Sequence, residues 1–505
     1  MTPGRFDVAV IGLGPVGMVA AMLLAQRGVS VAALDRTAGV FDKPRAIGLD
    51  HESLRLFQGL GLAEAIAPMT GPYRPSEYRA PDGALLRRLL PQPEPNLLAW
   101  PANLMFIQPE LDAMLRARLG AWPGVALRTG AAVEGLEQDA GGVRLSLAGG
   151  TGIAARYALC CDGAGSPLRR QLGAAHEDLD FDEPWVVVDT LLEDENVRLP
   201  ETNVQYCHPD RPTTFIHGPR NLRRWEFMIL PGEDPAAMAT EESVWRLLAP
   251  WMRPGQARLW RIAAYRFHAL VAHPWRFGRA FLAGDAAHQT PPFMGQGLNQ
   301  GLRDAGNLAW KLAMAVRGEA GEALLDSYEV ERRPNVRDVI AITRDLGRIV
   351  CERDTERAAA RDAALKAEAA AGRADVIRQD LLPPLRDGYL LAGSPGAGEP
   401  CPQPWVRTPA GCARLDDVLG DAGFRLILGD AAFPGAVGDQ ASRLGARVLR
   451  LGTPPLMEAD GLLAGWMRRH AAVAVLERPD HVVYGTARDA GGVARLLDKA
   501  LAGLG

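Results

Sequence analysis

One short stretch, Gly12-Leu13-Gly14-Pro15-Val16-Gly17, constrains the fold of this chain more than any other. The run before it, FDVAVI (6–11), reads as a short buried strand, and a helix is expected over 15–28. VSVAAL (29–34) reads as a second strand ending at Asp35. Strand, glycine turn, helix and strand make a βαβ opening. In that setting Gly12 permits the tight turn, Gly14 lets the backbone approach a pyrophosphate, and Gly17 lets helix and strand pack closely. The helix N-terminus, opened by Pro15, offers unpaired N–H groups and a partial positive charge to a phosphate. Asp35 is placed to bind a ribose hydroxyl, with Arg36 beside it. The motif implies dinucleotide binding and leaves FAD and NAD both open.

The same region has no charged residue over 8–25, which raises a signal peptide or membrane helix as the alternative. Gly12, Gly14, Pro15 and Gly17 interrupt the run, and Asp7 and Arg27 flank it without a signal-peptide pattern. No membrane association is expected.

At 505 residues the chain exceeds one hydrophobic core, so two or three domains are expected. A net charge of −4 gives no reason to expect nucleic acid as a partner. The 6 cysteines form no CxxC pair and no zinc-ligand spacing, so neither a disulfide framework nor a metal site is expected. A cytoplasmic protein with reduced thiols fits that usage.

Further along, 51–66 reads as helical, 70–105 as proline-rich and irregular, and 108–119 (QPELDAMLRARL) as a helix. WVVVDTLL, NVQYC, TTFIH and WEFMILP, within 181–230, read as strands of an inserted sheet that would hold substrate. AFLAG (280–284) reads as a buried strand and 297–316 as a long helix. Residues 345–380 read as helical and 386–404 as a Gly/Pro-rich linker. Beyond 405, FRLIL (424–428), ARVLRL (446–451), a hairpin over 472–485 and a helix over 490–503 make a small α/β unit.

Two more motifs bear on chemistry. In AGDAAHQTPPFMGQGLNQ, Asp285 follows a strand directly and is placed to accept hydrogen bonds from a polyol such as ribityl. The N–H groups of Leu298 and Asn299 would face an anion at the start of the next helix. An ordinary strand–loop–helix turn would look the same. In CDGAGSPLRRQLG, Ser166 and Pro167 make a strong helix start, and Asp162 and Arg169 would lie beside the cofactor cleft.

With these three motifs in this order, the sequence resembles the group A FAD-dependent aromatic hydroxylases, whose marks are GxGxxG, a central DG and a later GD. They match here at Gly12, Gly14 and Gly17, at Asp162-Gly163, and at Gly284-Asp285. The segments KPRAIGLDHESLR, FIQPELD, WVVVD, RRWEFMILPGE and GQGLNQGLRDAGNLAWKL look closest to 3-(3-hydroxyphenyl)propionate hydroxylases. The resemblance implies a Rossmann-like α/β FAD-binding domain over 1–175 and 276–345. A β-sheet substrate domain would lie between, over 176–275, joined by a segment near 70–105. A helical segment and linker over 346–404 would lead to a thioredoxin-like domain over 405–505, as in phenol-hydroxylase-type members.

It also implies that NADH or NADPH reduces FAD, that O2 forms a C4a-hydroperoxide, and that an OH group reaches the ring ortho to a phenol. It places Arg45 and Gln108 beside FAD. It puts Pro292, Gly295, Gly297, Leu298 and Asn299 around the isoalloxazine, with Pro292 and Gly295 among the catalytic residues.

A phenol with a pKa near 10 is weakly ionised at neutral pH, so the pocket needs a group that promotes the phenolate as well as an apolar slot for the ring. His208 and His217 are expected on sheet strands, and His208 is the candidate base. His288 is expected to bond nearby backbone. The alternatives are another FAD oxidoreductase, such as a dehydrogenase or oxidase, a hydroxylase of a polyketide-type aromatic, or, least of all, a non-catalytic FAD-binding protein. The last would not need the loop that carries Pro292 and Gly297. A homodimer is the commonest assembly for such an enzyme.

Overall fold

The computed structural model describes residues 5–420, 423–429 and 437–505. Its opening unit is strand Arg5–Ile11, helix Pro15–Gln26 and strand Val31–Asp35. These join a parallel array in the order Ala280–Leu282, Gly152–Cys160, Arg5–Ile11, Val31–Asp35 and Val125–Thr129. Strands covered on both faces need unbroken apolar sequence, and Val8, Ala9, Val10, Val31, Ala32, Ala33 and Leu34 are fully buried. Antiparallel strands Val133–Asp139, Gly142–Leu147 and Arg276–Phe277 extend the array.

A second sheet of 9 strands is built on two long antiparallel strands, Ala175–Leu192 and Ala257–His273. It continues through Leu222–Met228, Thr213–His217 and Asn203–Tyr206. The hairpin Ser76–Arg79 and Leu85–Leu90 then joins, with Asp375–Ile377 at the edge. The region 70–105 is therefore not irregular. Its prolines at 75, 81 and 91 bracket the hairpin strands without interrupting their ladders. Residues 345–380 are only partly helical: helices Glu322–Cys351 and Thr355–Ala370 are followed by that edge strand. The expected helix over 51–66 is two, His51–Gly59 and Ala63–Ile66.

Strand alternation gives this sheet two different faces. Val186, Val188, Phe215, Trp225 and Phe227 pack in one apolar cluster with Val244 and Leu248 of helix Glu241–Leu248. The alternate residues Trp185, Val187 and Met228 belong instead to the core of the nucleotide-binding unit, and Asp189, Arg224 and Glu226 share their face.

The C-terminal strands run in the order Arg447–Arg450, Arg425–Leu428, Ala474–Glu477 and Val483–Ala487. The first pair is parallel and the other two pairs are antiparallel. Segment 386–404 is part of this unit and not a free linker. The N–H groups of Leu391, Gly398 and Cys401 donate to the carbonyls of Tyr484, Val483 and His481. Trp310 and Leu324 share one apolar cluster with Phe424, Leu426 and Leu476, which fixes the unit against the helices Gly297–Arg317 and Glu322–Cys351. Among the described residues, no helix is long and apolar enough to cross a membrane.

Candidate active site

The glycine loop is shaped by contact. Gly12 has φ +90, and a Cβ there would lie 2.4 Å from the carbonyl oxygen of Cys161. A Cβ on Gly17 would lie 2.0 Å from the carbonyl oxygen of Gly12. Around Gly14 the same test meets nothing within 4 Å. Gly14 caps helix Pro15–Gln26 without a side-chain hydrogen bond, so the first N–H groups of that helix are left for a ligand. A cradle that tolerates no side chain on its walls and is open at its centre fits a pyrophosphate.

Asp35 is engaged by the protein itself. Its Oδ2 accepts from the N–H of Leu13 at 2.8 Å and from Arg116 at 3.3 Å. Its Oδ1 accepts from the N–H and hydroxyl of Thr37 at 2.8 and 2.7 Å. Two carboxylate oxygens have about four lone-pair sites, and all are taken. Asp35 therefore braces the loop, and a ribose hydroxyl would have to share or displace one of these donors, the 3.3 Å contact from Arg116 being the longest. Arg36 is exposed beside it.

Helix Gln108–Gly120 presents a polar stripe at fourfold spacing. Gln108 Oε1 accepts the N–H groups of Arg45 and Ala46 at 2.9 and 2.6 Å, and its amide donates to Asp112 Oδ2. Burial pushes the Asp112 carboxyl up to about 6, against the pull of Arg45, and its Oδ1 is buried without a partner. Arg116 spans Leu13 O and Asp35 through one nitrogen, and its Nε and Nη1 are buried and unpartnered. Sequence reading took only Gln108 from this stripe. The i, i+4, i+8 spacing of Gln108, Asp112 and Arg116 is the signal it passed over.

The DG and GD loops are stapled together by Arg169, which donates to the carbonyls of Ala164 and Ala286. Asp162 Oδ1 is buried without a partner, and burial raises its carboxyl. Asp285 is exposed at the open end of its strand. Behind it, Asp304 Oδ2 accepts the N–H of Gly284 at 3.0 Å and bonds His288 Nε2 at 2.9 Å, while Oδ1 accepts from Arg332 at 2.9 Å. Burial would raise the Asp304 carboxyl, but His288, Arg332 and the Gly284 N–H hold it below its ordinary range. His288 thus bonds a carboxylate and not backbone, and its role is to hold the turn.

The turn Pro292–Met294 and the left-handed Gly295 lead into helix Gly297–Arg317. Asn299 spends its side chain inside the protein. Its Oδ1 accepts from Asp50 N–H and Ser53 hydroxyl, and its Nδ2 donates to the carbonyls of Gly295 and Gly48. Only the backbone N–H groups of Gly297, Leu298 and Asn299, in the first turn of that helix, are left to meet a cofactor. Arg378 donates to Met294 O and to Tyr73 hydroxyl, pinning the turn from a segment that sequence reading assigned to helix. Phe293 inserts edge-on between Phe181, Trp185 and Phe267, with ring centroids 5.8–6.0 Å apart. These rings form an apolar wall between turn and sheet.

Next to that wall the sheet carries charge. Arg224 pairs bidentately with Asp189 at 2.8 and 3.1 Å and donates to the carbonyls of Arg45 and Pro44. Arg261 lies 3.8 Å from Asp189 and also donates to Pro44 O. Glu226, one register step along the same face, is 3% exposed. Tyr265 is half-exposed on this face, and desolvation of its hydroxyl together with nearby Asp285 raises it against Arg45 and Arg261.

His208 is not brought to this site. It lies beyond the strand end at Tyr206 and packs against the Tyr206 ring, which rests on Trp251 on the opposite face of the sheet. His217 is a strand residue, but it packs on Phe215 of that opposite face and bonds Pro200 O at 2.8 Å. Neither histidine reaches the cleft.

Over 5–343 the chain matches the model of the FAD binding domain, and over 398–502 that of the HcaD C-terminal domain. It is 35% identical to a probable NADH-specific resorcinol 4-hydroxylase of Rhodococcus jostii, across 98% of this chain and 94% of the relative. It is 36% identical to 3-(3-hydroxy-phenyl)propionate/3-hydroxycinnamic acid hydroxylase 2 of Burkholderia vietnamiensis, across 97% and 95%. Among solved structures, aklavinone-11 hydroxylase in a ternary complex with FAD and aklavinone superposes with a TM-score of 0.79. It is 26% identical, over 99% of this chain and 100% of that one. The flavin-dependent monooxygenase PieE shares the fold, with a TM-score of 0.82 at 24% identity over 99% of both chains.

Proposed function

The chain belongs to the family of FAD-dependent aromatic hydroxylases, and from that premise we propose that it hydroxylates a small uncharged phenol of the resorcinol kind, ortho to the ring hydroxyl, with NADH as reductant. FAD is its cofactor, and an aromatic compound and O2 are its substrates.

One observation carries the choice of an uncharged phenol. On the cleft face two arginines, Arg224 and Arg261, stand against Asp189 and Glu226, and both arginines are tied to carbonyls of the 44–45 loop. Both arginines are thus already engaged by Asp189 and the loop carbonyls, and neither stands ready to receive a substrate carboxylate. The name of the Rhodococcus relative supports both the substrate and NADH. A phenylpropionate, as in the Burkholderia relative, would have to recruit a further cation such as Arg45.

The Gly12, Gly14 and Gly17 loop and the N-terminus of helix Pro15–Gln26 would hold the pyrophosphate of FAD. Arg116, Gln108 and Arg45 would line its adenosine and pyrophosphate side, Asp162 and Asp285 would face its ribityl chain, and Pro292, Gly295 and the N–H groups of Gly297, Leu298 and Asn299 would surround the isoalloxazine. The unpartnered Arg116 and Asp162 atoms support this placement. Bound FAD supplies the redox chemistry, passing electrons from NADH to O2 so that one oxygen atom reaches the ring. The protein supplies orientation: the Phe293 wall holds the ring flat, and the buried Asp304 network keeps the turn in one position.

We assign the C-terminal unit a thioredoxin-like fold, supported by its β-α-β-α-β-β-α succession and strand order. Without a CxxC pair its role is structural. Six free cysteines support a cytoplasmic location.

The test is NADH and NADPH oxidation by the FAD-loaded protein with resorcinol, phenol, 3-(3-hydroxyphenyl)propionate and 3-hydroxycinnamate, with product mass recorded. Resorcinol is expected to stimulate NADH oxidation most and to yield a product heavier by one oxygen. A higher kcat/KM for the propionate would overturn the uncharged-phenol reading. FAD-loaded protein that responds to none of these compounds would overturn the small-phenol class in favour of a larger aromatic.

A further inference from the structure

Among the described residues no hydrogen bond or ion pair engages Glu226, a 3% exposed carboxyl on the cleft face of the sheet; Glu183, further along that face beside Trp185, is likewise unengaged but only half-buried. The position of Glu226 follows from strand register. It stands opposite Val187 on one side and Thr214 on the other, with Ala263 one strand further. Two residues before it, Arg224 reaches the carbonyls of Pro44 and Arg45. Two residues after it, Met228 joins the apolar cluster that contains Phe293. Glu226 therefore faces the space between the 44–45 loop and the Pro292–Met294 turn, where a substrate ring meets the flavin in the reading above.

The charged groups that face it are Arg224 on its own strand and Asp189 and Arg261 on the two strands beyond. On its other side Thr214 is neutral and donates to Gln205 Oε1 at 2.7 Å. Arg224 is committed to Asp189, so it does not also bond Glu226. A carboxyl buried to this degree is ordinarily paired or hydrogen-bonded, so one that is not calls for a reason, and a substrate hydroxyl would supply one.

We propose that Glu226 is the catalytic base that takes the phenolic proton of the substrate. The phenol O–H bond breaks with its electron pair remaining on oxygen, the proton moves to a Glu226 carboxylate oxygen, and the resulting phenolate directs the incoming oxygen to the ortho carbon. As the ring regains aromaticity the ortho C–H bond breaks with its electron pair returning to the ring, that hydrogen leaves as a proton for the water formed from the second oxygen atom, and Glu226 returns its own proton to the phenolic oxygen, so the protein ends unchanged. The inference rests on the phenol reading and names the residue that serves it. Burial pushes the Glu226 carboxyl up to about 7, against Arg224 and Arg261, so near neutral pH both its forms are populated and it can both take and return a proton.

The experiment compares FAD-loaded wild type, Glu226→Gln and Glu226→Asp, with resorcinol as probe. It reads FAD content, the resorcinol-induced change in the flavin spectrum, and product formed per NADH consumed, from pH 5.5 to 9. In wild type, product formation is expected to rise through a pH near 7. Glu226→Gln is expected to keep FAD and the resorcinol-induced spectral change. It should form about 100-fold less product at pH 7, lose the acid limb, and consume NADH without product. Glu226→Asp should retain the limb. A Gln variant with the wild-type rate and acid limb would overturn the assignment alone. Wild type that shows no resorcinol-induced spectral change would overturn the phenol reading, and this assignment with it.

Discussion

Glu331 and Glu226 are both buried glutamates, and the chain treats them oppositely. Glu331, where the C-terminal unit docks, receives Lys311 at 2.9 Å, Arg478 at 2.7 Å, Asn307 at 2.6 Å and the N–H of Tyr389 at 2.9 Å. Burial works against its charge, but Arg478 and Lys311 outweigh that and bring it to about 2. The same pattern repeats nearby, where Arg55 and Arg425 share Asp416 and Glu477. Glu226, at the cleft, has strand neighbours of the right charge but no bonded partner. Asp112 and Asp162 each keep an unpartnered oxygen as well, and Arg116 two unpartnered nitrogens. The carboxylates that dock the C-terminal unit are fully engaged, whereas Glu226, Asp112, Asp162 and Arg116 keep unengaged atoms on the side where FAD and substrate are proposed to bind; such atoms occur elsewhere too, Asn307 Oδ1 beside Glu331 among them. A buried polar atom without a partner costs stability, so it persists where something else supplies the partner.

The largest effect should come from breaking the saturated side. Glu331→Ala takes one of two carboxylates from Arg478, which keeps Asp480, and leaves Lys311 buried without its carboxylate, and is expected to destabilise by about 3–5 kcal/mol in thermal or denaturant unfolding. The pH dependence has a definite sign. Folded Glu331 titrates at about 2 against an ordinary 4.5, so its contribution is complete above pH 4.5 and is lost as pH falls toward 2. The acid arm of the wild-type stability curve should therefore flatten in the variant. An unchanged acid arm would remove Glu331 from the structural class.

The vacant side should respond in the opposite direction. Folded Glu226 titrates near 7 against 4.5, so the folded state binds more protons than the unfolded state between those values. Its contribution to stability therefore falls as pH rises through that window. Glu226→Gln should match wild type near pH 4 and exceed it at pH 8 by up to about 3 kcal/mol, the size of a shift of roughly 2.5 units. A variant less stable than wild type at pH 8 would mean that Glu226 has a structural partner after all.

Arg116 tests the same idea through the cofactor. Its two idle nitrogens should find acceptors only when FAD is bound. Arg116→Met is expected to weaken FAD retention about tenfold, near 1.4 kcal/mol for hydrogen bonds to a charged group. Protein that releases FAD no faster than wild type in dialysis or fluorescence would show those nitrogens to be incidental.

The sequence disclosed the parts of this molecule whose physics is local. A glycine turn that admits no Cβ, a helix opened by Pro15 and a strand of unbroken apolar residues are legible because each depends on neighbours in the chain. The hairpin at 76–90 was hidden because prolines dominate the composition around it while the strands themselves are short. The cleft chemistry was less legible still. Glu226 matters because Asp189 and Arg261, from strands distant in sequence, occupy the face beside it and bond elsewhere. Asp35 adds what its spacing from the glycines does not disclose: beside any ribose it also braces Leu13, Thr37 and Arg116. Motif spacing reports where a residue stands, while the number of partners already in place decides what it can still do.

His208 supplies the smallest expected effect and the cleanest control. Residue type and an expected place on a sheet strand make it the candidate base, since histidine is the side chain that titrates nearest neutral pH. In the fold it packs on Tyr206, and burial lowers its pKa, favouring the neutral ring that a packed histidine keeps. It shares no register row with Glu226, Asp189 or Tyr265, and its ring neighbour faces Trp251 on the far side of the sheet. His208→Asn should leave kcat, its pH profile and FAD content within about twofold of wild type, the range expected for a substitution that touches no reacting group. If it instead abolished the acid limb assigned to Glu226, proton transfer would have to run through the sheet and not across its cleft face, and partner vacancy would no longer identify the base.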